Sequence, residues 1–184
     1  MTLKMRSALA LLLALLLTVG LCCGCSRNAP EGTESADEPL VGPGTINPKF
    51  ETNREDFGLK LGYQLLVPEG AGNVKYYVID GELGEMTFTL DNMSFTARIQ
   101  SASKLTDISG LHYKWTVEED CMIDRCPGQT KRYIGENEQV DLCLFFDVLP
   151  GITYSISTAA DSLDGFDITA IAKRIFDPMQ SEAG

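Results

Sequence analysis

The sequence predicts an α+β fold, in which a one-sided, curved antiparallel sheet of about seven strands packs against an N-terminal and a C-terminal helix. Two observations predict this class. Apolar and polar residues alternate with period two over most of residues 49–184, as in strands with one buried face. Turn-forming pairs such as Asp80-Gly81 and Pro150-Gly151 separate the alternating runs, as expected for hairpins and short loops.

Five runs carry the alternation most clearly, each with its apolar residues in one row and its polar residues in the other. The apolar rows are Met86/Phe88/Leu90, Phe95/Ala97/Ile99, Leu111/Tyr113/Trp115/Val117, Val140/Leu142/Leu144/Phe146 and Ile152/Tyr154/Ile156. Seven strands would make a sheet about 34 Å wide, whereas one helix covers about 10 Å. We therefore expect the sheet to curl around its helices, and the alternative is a groove left open on the apolar face.

Two segments have the features of helices that could cover this face. The first covers residues 52–61, where Thr52 and Glu55 have capping-box spacing and Gly62 provides a stop. The second begins after the N-cap residue Asp167 and ends before Pro178. Its apolar residues have the spacing of one helix face: Ile168, Ile171, Ala172, Ile175 and Phe176.

Residues 1–24 have the layout of a secretory signal peptide. Lys4 and Arg6 precede an unbroken apolar stretch of 14 residues, from position 8 to position 21. This stretch is shorter than the roughly 20 residues that span a bilayer. The run extends to 18 residues when it is counted through Cys25, so an uncleaved single-span anchor is the alternative.

The end of this leader resembles the signal of bacterial lipoproteins, in which a cysteine after a small residue receives lipid and becomes the new N-terminus. Cys25 fits the pattern because Gly24 precedes it and Ser26 follows it. Cys22 and Cys23 are the weaker alternatives for the lipidated residue. The resemblance implies lipid attachment at Cys25, the membrane as a partner through that lipid, and a location on the outer face of the cytoplasmic membrane.

Residues 25–48 are predicted to form the lipidated cysteine and a disordered acidic tether. This segment is rich in Pro, Gly, Ser and acidic residues, and its large apolar residues are Leu40, Val41 and Ile46. Such a composition does not supply a core. As a flexible coil the tether would span about 25 Å, and residues 49–184 would follow it as a single domain.

The charge of the chain argues against nucleic acid as a partner. The sequence has 26 Asp and Glu residues against 15 Lys and Arg residues, for a formal net charge of -11. An acidic surface of this kind repels the phosphate backbone. The single histidine, His112, leaves little room for imidazole catalysis or for a multi-histidine metal site.

Short motifs across residues 50–176 resemble a family of small Gram-positive bacterial lipoproteins whose domain has no assigned function. The matching elements are Gly62-Tyr63, Val67-Pro68, Tyr77, Arg98, Asp107-Ile108-Ser109-Gly110, Phe146-Asp147, Gly151 and Tyr154-Ser155-Ile156. The chain departs from the family at Phe146, where a tryptophan is expected, and by the insertion from Cys121 to Cys126. The resemblance implies the curved-sheet architecture of lipoprotein carriers and sigma-factor regulators, which favours an open groove.

Cys121 and Cys126 are the candidate disulfide of the domain. Four residues separate them, unlike the two-residue spacing of thioredoxin-like redox motifs. Outside the cell, a bond closing so short a ring would stabilise the fold by roughly 2 kcal/mol. Two free thiols are the alternative.

No pattern assigns a catalytic residue, a metal site or a cofactor. The acidic residues of positions 118–124 and 161–167 lack the order of a calcium loop. A zinc site built from Cys121, Cys126, Cys143 and His112 would match no zinc module by spacing. Ser101 and Lys104 have S-x-x-K spacing without the companion motifs of serine acyl-enzymes.

Taken together, these features predict a lipid-anchored extracytoplasmic module that binds an envelope protein or an apolar ligand through its sheet, without turnover. One alternative is an envelope enzyme, either thiol-dependent through Cys121 and Cys126 or a hydrolase with a carboxylate pair. The other is a sensor or regulator domain.

Overall fold

The computed structural model describes residues 48–178. These residues form one eight-stranded sheet with two helices on one face. In chain order the elements are β1 (Lys49–Thr52), α1 (Arg54–Leu61), β2 (Gly72–Ile79), β3 (Leu83–Leu90), β4 (Met93–Ser101), β5 (Val117–Ile123), β6 (Cys126–Ile134), β7 (Gln139–Asp147), β8 (Ile152–Ala160) and α2 (Ile168–Ile175). The predictions for the leader, for Cys25 and for the tether up to residue 47 lie outside the described residues.

The sheet confirms the predicted α+β class, with one strand more than the seven expected. Its order is β1-β2-β3-β4-β8-β7-β6-β5, and all neighbouring strands are antiparallel. Strands β1 to β4 form one meander and β5 to β8 form a second. Residues 102–116 carry the chain from the middle of the sheet to its β5 edge, so the two meanders meet at the pairing of β4 with β8.

The first helix begins one residue later than the capping-box spacing predicts. Asn53 is the N-cap, and its Oδ1 accepts the N–H of Asp56 at 2.9 Å. Thr52 cannot serve as the cap because it is the last residue of β1, where it pairs with Tyr76. Gly62 ends the helix in the left-handed region, with φ of 79°, as the sequence predicts.

The second helix agrees with the prediction at both ends. Asp167 is its N-cap and accepts the N–H of Thr169 at 2.9 Å. The helix ends at Ile175, two residues after Lys173, in a last turn whose basic residues complement the helix dipole. Its predicted apolar residues are all buried: Ile168, Ile171, Ala172, Ile175 and Phe176.

The helices pack on the inner face of a curled sheet. Helix α1 contacts β2 and β3, whereas α2 contacts β7, β8 and the edge strand β5. In a flat sheet β5 would lie about 14 Å from β8, which is more than the width of one helix. The contact of α2 with both strands therefore requires the predicted curvature.

Within this one-sided sheet the central strand β7 is an exception to the expected single buried face, because it is buried on both faces. Cys143 and Phe145 point to the helices, because they pair with Ile156 and Tyr154 of the core. The alternate residues of β7 lie on the outer face and are also buried: Val140, Leu142, Leu144 and Phe146. The apolar row identified from the sequence therefore faces away from the helices in this strand.

The predicted strand over residues 111–117 is wrong except for Val117, which begins β5. The preceding residues form an irregular segment in which Leu111, Tyr113 and Trp115 are half-buried and their neighbours are exposed. This gives the period-two alternation of a strand without a partner strand. The connection of residues 102–116, to which this segment belongs, is held on the outer face in part by Thr153, whose hydroxyl donates to the Thr106 carbonyl at 3.1 Å.

Candidate functional site

Neither helix covers the inner face of the sheet at the first residues of β5 and the last residues of β6. A cavity of about 490 Å³ lies there, between these strands and the first residues of α2. Because side chains alternate along a strand, Val117, Glu119 and Cys121 all point into this space. On β6, Arg132 and Thr130 pair with Val117 and Glu119 and share the same face. The volume is within the range of about 300 to 1,000 Å³ that small-molecule sites occupy.

The floor of this cavity is an ion pair between the half-buried Arg132 and the buried Asp141. Arg132 donates to both carboxylate oxygens of Asp141, from Nε to Oδ1 at 2.6 Å and from Nη2 to Oδ2 at 2.6 Å. Nη2 also donates to the Phe166 carbonyl at 3.1 Å, which ties the loop before α2 to the sheet. The hydrogen bond to Asp141 raises the pKa of Arg132. The guanidinium is therefore fixed and its charge is neutralised in place.

The rim of the cavity is acidic. Glu119 comes from the inner row of β5, and Asp167 lies at the start of α2. Hydrogen bonds from Thr169 to its side chain hold the pKa of Asp167 below its ordinary value. Lys131 does not offset these charges, because its Nζ lies 3.2 Å from Glu118 on the outer face of the sheet. The cavity thus presents more negative than positive charge to a ligand.

The walls of the cavity are apolar. Val117 and Ile134 are large exposed hydrophobic residues at the ends of β5 and β6. Phe166 and Ile168 close the opposite side, from the loop and the first turn of α2. A ligand that fits these surroundings has an apolar body and a neutral or cationic polar group.

Within residues 48–178, Cys121, Cys126 and Cys143 are free thiols, so the predicted bond between Cys121 and Cys126 is absent from this structure. The strand register explains the difference. Cys121 pairs with Gly128 and Cys126 pairs with Ile123, which makes the two cysteines diagonal neighbours. Diagonal neighbours in a sheet are about 7 to 8 Å apart, beyond the usual Cα separation of a disulfide.

The side chain of Cys121 instead interacts with the thiol of Cys143, two strands away. Gly128 makes this approach possible because it lies between them on β6, and a Cβ there would be 3.2 Å from the Cys121 sulfur. Burial raises the pKa of both thiols. Burial also raises the pKa of Cys126 to about 12. A catalytic thiol needs the opposite shift, toward the thiolate at neutral pH.

The remaining sequence candidates do not form a site. Within residues 48–178, no three His, Cys, Asp or Glu side chains are close enough together to hold a metal ion. His112 is exposed on the irregular segment. Ser101 is exposed at the end of β4, where its backbone N–H donates to the Tyr63 hydroxyl at 3.1 Å.

Several residues of the resemblance instead form a structural brace on the outer face. Arg98 donates to Glu85 at 2.9 Å and to the Ile108 carbonyl at 3.0 Å. Gly110 leaves room for the guanidinium, since a Cβ there would lie 2.6 Å from Nη1 of Arg98. Asp107 closes the intervening turn by accepting two hydrogen bonds from Ser109. These contacts attach residues 107–110 to the sheet.

Comparisons with protein families, curated proteins and solved structures find no match to this chain. Among residues 48–178, neither helix has the length and apolar content needed to cross a bilayer. The leader sequence and the cavity are the features of this chain that bear on its function. The cavity could not be located from the sequence, although the β5 pattern of Val117, Glu119 and Cys121 does place these side chains on one face.

Proposed function

We propose that the protein is a lipid-anchored extracytoplasmic binding module whose ligand occupies the cavity on the inner face of the sheet. The observation that carries the proposal is the open end of β5 and β6, where Arg132 and Asp141 form a satisfied polar floor beneath apolar walls. The leader supports the anchor at Cys25, with Cys22 and Cys23 as alternatives. The raised thiol pKa values favour binding over thiol catalysis.

The charge and shape of the cavity indicate the class of ligand. Glu119 and Asp167 repel anions, and the guanidinium of Arg132 in the cavity already has a carboxylate partner. We expect an amphiphile with an apolar body and an amine or neutral polar head. Shape complementarity to Val117 and Phe166 would set the size of the apolar body.

Native mass spectrometry of residues 49–184, secreted from a Gram-positive host, tests the ligand. We expect an adduct of fixed mass on the parent protein, and its loss in a Val117→Trp variant that fills the cavity. Glu119→Gln should lower the occupancy, because this carboxylate faces the cavity. Glu118→Gln is the matched control, since Glu118 faces outward. Bare protein in the parent, or an adduct that Val117→Trp retains, would refute binding in this cavity.

The anchor has a separate test. Incorporation of labelled fatty acid into the full chain should disappear in Cys25→Ala, and the protein should no longer be retained at the membrane. Labelling that persists would assign the lipid to Cys22 or Cys23. Membrane retention without label would favour the uncleaved helix.

A further inference from the structure

Four exposed apolar side chains lie at one end of the sheet, and we call them the turn-end patch: Leu105, Met122, Val148 and Leu149. Val148 and Leu149 are 63% and 78% exposed at the tip of the β7–β8 turn. Leu105 and Met122 line a cavity of about 620 Å³ together with Phe146. Phe146 lies two residues before Val148, so the cavity adjoins the turn. Large exposed apolar side chains grouped at one end of a sheet favour contact with an apolar partner.

The patch lies at the end of the sheet where the described chain begins. Strand β4 ends beside the β7–β8 turn, where the N–H of Ala102 donates to the Gly151 carbonyl at 2.8 Å. The β2–β3 turn lies at the same end, because β3 begins beside the end of β4. In that turn the N–H of Asp80 donates to the Pro48 carbonyl at 3.2 Å. The predicted tether therefore joins the domain at the end that carries the patch.

The length of this tether places the patch within reach of the bilayer. If Cys25 carries the lipid, as proposed above, the tether predicted from Ser26 to Pro48 would span about 25 Å as a flexible coil. A tether this short holds the domain at a high effective concentration next to the membrane. Weak apolar contacts are then sufficient to orient the domain, since no encounter in solution has to be stabilised.

The net charge of the chain favours apolar over electrostatic contact with the membrane. The net charge is -11, so attraction to anionic headgroups does not bring the domain to the surface. Contact through side chains that enter the boundary between headgroups and acyl chains needs no such attraction. Val148 and Leu149 are suited to this because they are adjacent at the tip of a turn.

We propose that the turn-end patch docks the domain on the bilayer that holds its lipid anchor, with Val148 and Leu149 inserted into the interface. This inference rests on the proposed lipid anchor. Docking by this end directs the opposite end of the sheet away from the membrane. The cavity at Val117 and Ile134 lies at that opposite end, so it is open to ligands or partners from the outside.

Tryptophan quenching in vesicles tests the orientation. The single native tryptophan, Trp115, is first replaced by Phe, and a probe is introduced as Leu149→Trp. The matched control is Asn137→Trp, an exposed position in the β6–β7 turn, which lies at the opposite end of the sheet and outside the cavity. The full lipidated protein is reconstituted into phosphatidylcholine vesicles with brominated acyl chains. We expect the position-149 emission to be quenched and the position-137 emission to be unchanged.

Flotation of the same samples separates the two proposals. Protein that fails to float with the vesicles refutes the lipid anchor and the docking with it. Protein that floats while position 149 is unquenched keeps the anchor and overturns the docking, as does equal quenching at both positions. The probe at position 149 could also stay unquenched while its emission shifts to the blue as the number of protein molecules per vesicle rises. This result would identify a second copy of the chain as the occupant of the patch, and it also overturns bilayer docking.

Discussion

The buried ion pair between Glu85 and Arg98 determines how firmly the outer face of the sheet is covered. Their side chains are 3% and 21% exposed, and Arg98 also holds the Ile108 carbonyl. Arg98→Met keeps the length of the side chain and removes both charged hydrogen bonds. The carboxylate of Glu85 would retain only Lys49, whose side chain is 43% exposed. Loss of one partner from a buried pair costs about 3 to 5 kcal/mol, and Lys49 compensates in part, so we expect a loss of about 3 kcal/mol.

Urea denaturation measures this loss, and the melting temperature should fall by about 10 °C for a domain of this size. Lys131→Met is the matched control, because the carboxylate that it leaves unpaired, Glu118, is 46% exposed to water; it should cost less than about 1 kcal/mol. In a double-mutant cycle with Glu85→Gln, the two substitutions should cost clearly less together than the sum of their separate costs. An Arg98→Met protein within about 1 kcal/mol of the parent, or an additive cycle, would show that the pair does not hold this face.

Three further predictions concern the inner face. Gly128→Ala should destabilise the fold by about 1 to 3 kcal/mol in urea denaturation, because the new Cβ would lie 2.9 Å from the Cβ of Phe145. An unchanged midpoint of the urea transition would contradict the close packing of β6 against β7. In residues 49–184, iodoacetamide at pH 8 should label the folded protein slowly and only at Cys121, since Cys126 and Cys143 are buried and the pKa of Cys126 is raised to about 12. The unfolded domain should take up label at all three thiols. Rapid labelling of Cys126 in the folded protein would count against this. Asp167→Ala should cost about 1 kcal/mol at pH 7, because the substitution removes the N-cap of α2. The pKa of Asp167 is lowered in the folded protein, so in urea titrations the difference in unfolding free energy from the parent should shrink as the pH falls below about 4. A difference that persists at pH 2 would refute the role of the charge.

The elements that could be predicted from the sequence are those whose local pattern agrees with their tertiary surroundings. Helix α2 is an example, because the cap at Asp167, the apolar row and the final basic residues all indicate the same bounds. The β3 and β4 rows that contain Phe88 and Phe95 are a second example. These strands have one face on the core, so alternation identifies that face directly.

The elements that could not be predicted depend on which segments become neighbours. Strand β7 is buried on both faces, so its two apolar rows cannot be ranked from alternation alone. Residues 111–116 alternate because they lie on a surface, and the sequence does not distinguish this from pairing with a strand. Similarly, the distance from Cys121 to Cys126 follows from the register of β5 with β6, which the spacing of two cysteines does not specify.

The meeting of the two meanders at β4 and β8 has a consequence for folding kinetics. Within each meander, hairpins can form between segments that are close in sequence, whereas Thr158 bonds to the Ser94 carbonyl across 64 positions. Closing so long a loop costs entropy before any contact repays it, and such pairings slow folding. Stopped-flow refolding should therefore show that Thr158→Ala slows folding more than it speeds unfolding, with the reverse for substitutions at the β5 edge. For a chain predicted to be exported, this delay would leave the two half-sheets with unpaired edges outside the cell until they join.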